Sequence, residues 1–231
     1  MRTAQSSPAG DFPLPLPHAQ PPEIKRLAEQ RTARHMGHMN RIAAVAVYCG
    51  SRTGNDPAYR IAAQALGAGL AQARIRLVYG GGGIGLMGVL SDAVLAAGGE
   101  VVGVIPEFLT RREVAHGGTT ELIVTDSMHS RKQRMFELAD AFVSLPGGLG
   151  TLDETIEIIT WRQLGLHSNP ILICNVAGSA TPFLAAIEAA IGAGFAGTEV
   201  RQLYEVLEGP AAVLQRLGEL RPTTHTEARR L

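Results

Sequence analysis

The chain predicts an α/β fold: a single-domain, Rossmann-like, doubly wound parallel β-sheet with helices on both faces. Three observations predict it. From residue 41 onward, short apolar runs alternate with longer helical patterns, which implies right-handed βαβ crossovers. The apolar runs are continuous, as strands covered on both faces should be. The glycine-rich loops fall where strands give way to helices, at the edge where such sheets hold ligands.

Residues 42–49 form an uninterrupted apolar run and make the first strand. Asp56 and Pro57 open a helical stretch through residue 73, since a side-chain acceptor followed by proline suits a helix start. Residues 75–79 read as a second strand, followed by four glycines at 80–83 and a helix over about 86–97. A third strand spans 101–105 and is closed by Pro106. Residues 107–119, with Arg111, Arg112, Glu113 and the Gly117-Gly118 pair, read as a loop with a helical turn. A strand at 122–125 and a helix at 128–139 follow. The alternation continues with a strand at 142–145, a helix from Thr151, a strand at 171–175 and a helix at 182–191. A short strand at 204–207 and a helix at 211–217 end it.

The domain is therefore expected over residues 39–220. Residues 1–38, rich in Pro, Ser, Ala and Gln, are expected to be a disordered extension, and residues 221–231 a polar tail. The sequence of 231 residues is long enough to bury a substantial core, and its 21 basic and 21 acidic residues cancel. No basic field argues for nucleic acid and no acidic field for a cation store. The two cysteines, Cys49 and Cys174, each end an apolar run, with no disulfide or zinc spacing around them. No run is long and apolar enough to span a bilayer, and Arg2 is not followed by a signal-peptide core. A cytoplasmic protein with no membrane partner is expected.

The richest segment is Leu145-Pro146-Gly147-Gly148-Leu149-Gly150-Thr151-Leu152-Asp153-Glu154. Its glycines admit a ligand close to the backbone, and the helix that follows directs unpaired N–H groups and a positive dipole end at it. That arrangement suits a phosphate. Asp153 and Glu154 are expected in the first helical turn, with Glu157 one turn on from Glu154. A carboxylate beside a phosphate cradle suggests chemistry on a phosphorylated substrate.

Other segments are weaker. Gly80 to Gly88 holds two overlapping G-x-G-x-x-G matches, but it follows the second strand. Glu100 begins a strand where a ribose-binding acid should end one, so a dinucleotide site is not favoured. A turn that also lines a nucleotide pocket is. Arg131, Lys132 and Arg134 would ordinarily be a solvated face. A helix beginning at the carboxyl edge, however, can bring its first turn to the site, where an arginine fork suits phosphate. Site and surface are evenly balanced for Arg131, and Arg134 is expected at the surface. His116, His129 and His167 have no metal-ligand spacing. Trp161 and Leu164 read as packing or subunit contact. Ser51 lacks the context of a hydrolase nucleophile.

Together these segments resemble the Lonely Guy (LOG) family of cytokinin riboside 5′-monophosphate phosphoribohydrolases, some once labelled lysine decarboxylases. The resemblance covers about residues 42–207. It is carried by Val47-Tyr48-Cys49-Gly50-Ser51, by Tyr79 through Gly88, and by Met128-His129-Ser130-Arg131-Lys132. Pro146 through Glu154 and Ile159 through His167 complete it. It implies hydrolysis of the N-glycosidic bond of a nucleoside 5′-monophosphate, giving free base and ribose 5-phosphate, with no metal or organic cofactor. By resemblance Arg131 and Glu154 are the catalytic pair. Glu113, Lys132, Gly147, Gly148, Leu149, Gly150, Thr151, Leu152, Asp153 and Thr160 would bind the nucleotide. A homodimer with the site near its interface is also implied. Asp153 departs from the family's more usual Glu, and Asn169 stands where Lys is common.

Two other readings compete. A pyridoxal-phosphate decarboxylase needs a Schiff-base lysine, and the only lysines are Lys25 and Lys132. A non-catalytic nucleotide-binding or carrier protein would need the glycine loops alone. The pairing of Arg131 with Glu154 is what separates it from an enzyme.

Overall fold

The structure, a computed structural model, describes residues 41–110 and 116–222. The expected N-terminal extension, Glu113 and residues 223–231 lie outside the described residues.

Seven strands form one parallel sheet in the order β4-β3-β2-β1-β5-β6-β7. They are β1 (Ala44–Tyr48), β2 (Arg76–Tyr79), β3 (Val101–Pro106), β4 (Glu121–Thr125), β5 (Ala141–Ser144), β6 (Ile171–Asn175) and β7 (Glu205–Glu208). The helices are α1 (Pro57–Gln72), α2 (Gly85–Ala96), α3 (Met128–Leu138), α4 (Leu149–Gln163), α5 (Thr181–Gly192) and α6 (Gly209–Glu219). Single 3₁₀ turns at Glu107–Leu109 and Thr198–Gln202 complete the described elements.

The chain winds outward from β1 to β4, then returns to lay β5 along the other side of β1. Val45 pairs with Leu77 on one side and Ala141 on the other. Loops leaving β1 and β5 therefore diverge, and a crevice opens between their carboxyl ends.

Each central strand feeds two cores because its side chains alternate in direction. Val45, Val47 and Cys49 of the β1 run face one layer, with Leu66 and Leu70 of α1, Leu90 and Val94 of α2, and Val213 of α6. Ala44, Ala46 and Tyr48 face the other, with Met135 of α3 and Ile158 and Ile159 of α4. Fully buried side chains such as Phe142 and Leu66 each contribute about 1.5–3 kcal/mol.

Local chemistry fixes the ends. Asp56 caps α1 by accepting from Ala58 N at 2.8 Å, with Pro57 at the first helical position. Asp140 accepts from the N–H groups of Ala43 and Ala44 at 2.9 and 3.0 Å, pinning the start of β1 to the start of β5. The largest departure from expectation near the crevice is α4, which begins at Leu149, not Thr151. Asp153 and Glu154 consequently stand in its second turn.

Candidate active site

A crevice open to solvent lies at the β1–β5 switch point. Its walls come from the segments that follow β1 and β2 and from the first turns of α3 and α4. Gly50 and Ser51 follow β1, Gly80 ends β2, Arg131 lies on α3, and Gly148 to Thr151 with Glu154 lie on α4. Val47, Cys49 and Met87 complete the lining.

The phosphate cradle arises from the start of α4. Gly148 occupies the cap position and brings no capping side chain. The first intrahelical bond is Leu152 N to Gly148 O at 3.1 Å, so the preceding N–H groups have no intrahelical acceptor. A Cβ placed on Gly148 or Gly150 would meet nothing of the protein within 4 Å, and neither residue has a positive φ. Neither packing nor backbone conformation requires glycine there.

Arg131 is placed by the capping box that starts α3. Ser127 accepts from Ser130 N at 3.1 Å, and Ser130 Oγ accepts from Ser127 N at 3.2 Å. Four residues into the chain from that cap, the Arg131 side chain runs inward over the carboxyl ends of β2 and β3. Its Nε donates to Val104 O at 3.1 Å and its Nη2 to Gly80 O at 3.3 Å. Its Nη1 lies 3.4 Å from Glu154 Oε1, in a pair whose side chains are only 7% and 9% exposed. Gly80 makes this possible, because a Cβ there would overlap Arg131 Nη2. Of the two readings left open for Arg131, the structure gives the buried one.

Lys132, the next residue, has its ammonium between Asp153 Oδ2 at 3.2 Å and Glu157 Oε1 at 3.0 Å. Burial alone would lower its pKa, but the hydrogen bonds to Glu157 and Asp153 outweigh that and raise it. Tyr48 lies beneath the same charges, its ring stacked on Phe142 with centroids 6.2 Å apart. Burial first, then the Glu154 and Glu157 carboxylates, push the phenol's pKa well up, with Arg131 opposing.

The remaining expected residues divide. Gly147 and Leu152 line a neighbouring cleft behind the cradle, with Thr151 shared between the two. Asp153 is exposed and turned to Lys132. Thr160 does not line the crevice; it is exposed and donates to Ile156 O at 2.8 Å. Arg134 is half-buried and pairs with Glu137 at 3.2 Å. His167 is structural: Nδ1 accepts from Asn169 N at 3.2 Å, leaving Nε2–H to donate to Ile158 O at 2.9 Å. His116 anchors its loop, pairing with Asp92 at 2.8 Å while its N–H donates to Gly81 O. Among the described residues no group of three or more His, Cys, Asp or Glu is gathered for a metal. Sequence reasoning passed over Val47 and Met87 as individual site residues and read Cys49 as a core or near-site thiol; the position of 47 and 49 at the end of the strand flanking the switch was the available signal.

The family described as "Possible lysine decarboxylase" matches residues 87–217. The cytokinin riboside 5′-monophosphate phosphoribohydrolase LOG of Oryza sativa subsp. japonica is 45% identical over 173 residues, covering 75% of this chain and 71% of that protein. The chain belongs to the LOG family. Its bacterial relative from Rhodococcoides fascians, also a cytokinin riboside 5′-monophosphate phosphoribohydrolase, is 44% identical over 176 residues, covering 74% of this chain and 89% of that one. Among solved structures, the molybdenum cofactor binding protein of Rippkaea orientalis superposes with a TM-score of 0.59 at 20% identity, over 77% of this chain and 96% of that one. The molybdenum cofactor carrier protein of Chlamydomonas reinhardtii gives 0.58 at 19%, over 77% and 96%. At those identities the likeness is one of fold. Among the described residues no helix is long and apolar enough to cross a membrane. In this LOG-family chain the arginine and the glutamate predicted to act together are in contact, and the glycines predicted to admit a phosphate stand beside them.

Proposed function

We propose that this chain hydrolyses the N-glycosidic bond of adenosine 5′-monophosphates, including N6-modified ones, releasing free base and ribose 5-phosphate. The observation that carries the reading is the buried Arg131–Glu154 pair lining the same crevice as Gly148 and Gly150. The activity named for the relatives agrees with it.

The 5′-phosphate sits against the N–H groups that open α4, where the helix dipole favours it. Gly148 through Thr151 shape that cradle, and Glu113, Lys132, Gly147, Leu152 and Asp153 are assigned to nucleotide binding by the family resemblance alone. Holding the phosphate lets binding energy orient the distant glycosidic bond. As the bond to the base lengthens, positive charge develops on the ribosyl carbon. The Glu154 carboxylate stabilises it and takes a proton from the water that adds there. The departing base takes up a proton, and the sugar keeps the hydroxyl. Arg131 has two of its nitrogens committed to backbone carbonyls, so its part is to hold and orient Glu154 more than to grasp phosphate. The family description as a lysine decarboxylase is not supported by Lys132. A Schiff-base lysine needs a lowered pKa, and two carboxylates raise this one.

The protein is proposed to act in the cytoplasm as a homodimer, without nucleic-acid or membrane partners. Leu149, Leu152 and Ile156 form an exposed apolar stripe along α4, at the three- and four-residue spacing of one helix face. A second copy covering it would bring Thr160, on the same outer face, toward a nucleotide.

The test is incubation of the purified protein with adenosine 5′-monophosphate or its N6-isopentenyl derivative, with chromatography for free base. Wild type should release base and Glu154→Gln should not. Equal release by both would overturn the assignment. Nucleotide binding with no release by wild type would leave a carrier.

A further inference from the structure

We propose that Glu157 is a positioning residue for this reaction: paired with Lys132, it forms a second bridge between α3 and α4 that sets the distance from Arg131 to Glu154. The proposal rests on the hydrolase reading above and deepens it.

The two bridges are built like rungs. Arg131 and Lys132 are consecutive on α3, while Glu154 and Glu157 are three residues apart on α4 and so share a face. The inner rung, Arg131 to Glu154, spans 3.4 Å and is buried. The outer rung, Lys132 to Glu157, spans 3.0 Å, with side chains 17% and 26% exposed. Outer and inner rungs join the same two helices, so a change in the outer separation is transmitted to the inner one through rigid helical backbone. Below them the helices meet through apolar side chains, such as the edge contact of Phe136 with Trp161 at 5.3 Å. Such packing holds the helices together, and the charged pairs above add a further directional constraint on their separation.

Tyr48 ties the rungs together electrostatically, since its buried phenol senses Glu154, Glu157 and Arg131 at once. The arrangement also defines what Lys132 does. Its ammonium is engaged by Glu157 and by Asp153 at 3.2 Å, which takes up two of its three N–H donors. The bridge gives Lys132 a part in the protein's own geometry.

The experiment is a cycle of Lys132→Gln, Glu157→Gln and the double variant in the full chain, with kcat and KM measured on adenosine 5′-monophosphate. Bridge loss predicts that each single variant lowers kcat about 10-fold or more, leaves KM within about twofold, and that the double variant is no worse than either. A lysine serving the phosphate predicts the opposite: Lys132→Gln raises KM, and Glu157→Gln leaves kcat unchanged. That result overturns the proposal. A crystal structure of ligand-free Glu157→Gln gives a readout independent of turnover. The Arg131 Nη1 to Glu154 Oε1 contact should open beyond ion-pair range, and retention at 3.4 Å overturns the proposal. Wild type that releases no base would remove the hydrolase reading, and the crystallographic result would still decide the bridge.

Discussion

Gly80 and Arg131 are 51 residues apart in sequence and in contact in space, and that contact makes a single methyl group consequential. Gly80→Ala must displace the guanidinium from the β2 end, and with it the partner of Glu154. Because a displacement of about 1 Å at a reacting centre can cost roughly 100-fold, turnover should fall by that order while the far-ultraviolet circular dichroism stays unchanged. Steady-state kinetics beside the spectrum check it. Two other residues govern behaviour at high pH. Burial pushes the Cys174 thiol from 9.0 up to about 12 and the Tyr79 phenol from 10.0 up to about 12. The unfolded chain releases these protons from about pH 9 upward while the folded chain retains them. Stability is therefore full below pH 9 and declines as pH rises toward 12. Chemical denaturation across that range should show the decline, and Cys174→Ala should delay its onset to about pH 10, where the tyrosine begins to titrate.

Helix α4 separates stability from activity in a way that one substitution exposes. Gly150 lies within its first turn, at a φ any residue can adopt and with open space around its missing side chain. Alanine there should stabilise the fold by about 0.4–1 kcal/mol, raising Tm by roughly 1–4 °C for a domain of this size. The same methyl group intrudes on the cradle, so KM should rise by about tenfold or more. A Tm gain with unchanged KM would mean that the phosphate lies elsewhere. The capping box of α3 offers a complementary case: Ser127→Ala should cost about 1 kcal/mol, measurable by denaturant titration. These elements differ in how far the sequence alone revealed them. The strands were legible because residues 44–48 and 171–174 are continuous apolar runs with no helical period. The start of α4 was not, because Gly148-Leu149-Gly150 carries weak helical propensity and is helical through tertiary context. Arg131 was undecidable for a related reason. Its acceptors, Gly80 O and Val104 O, come from strands 51 and 27 residues away, and no local pattern announces such a meeting. The double engagement of Lys132 was hidden in the same way.

For the whole molecule, the exposed stripe of Leu149, Leu152 and Ile156 sets the expected assembly. Ile156→Glu places a charge in the middle of a covered apolar face, and light scattering should show a dimer become a monomer. A wild-type monomer under the same conditions would remove the dimer from the proposal. The doubly wound order adds a constraint on the catalytic pair, since Gly80 follows β2 on one side of β1 and Glu154 lies on the helix that follows β5 on the other. The arginine between them has three contacts, two to backbone carbonyls on one side of the switch point and one to the carboxylate on the other, which leave it little freedom to swing away. The crevice thus has one wall tied to both halves of the sheet, and loosening either half would slacken it.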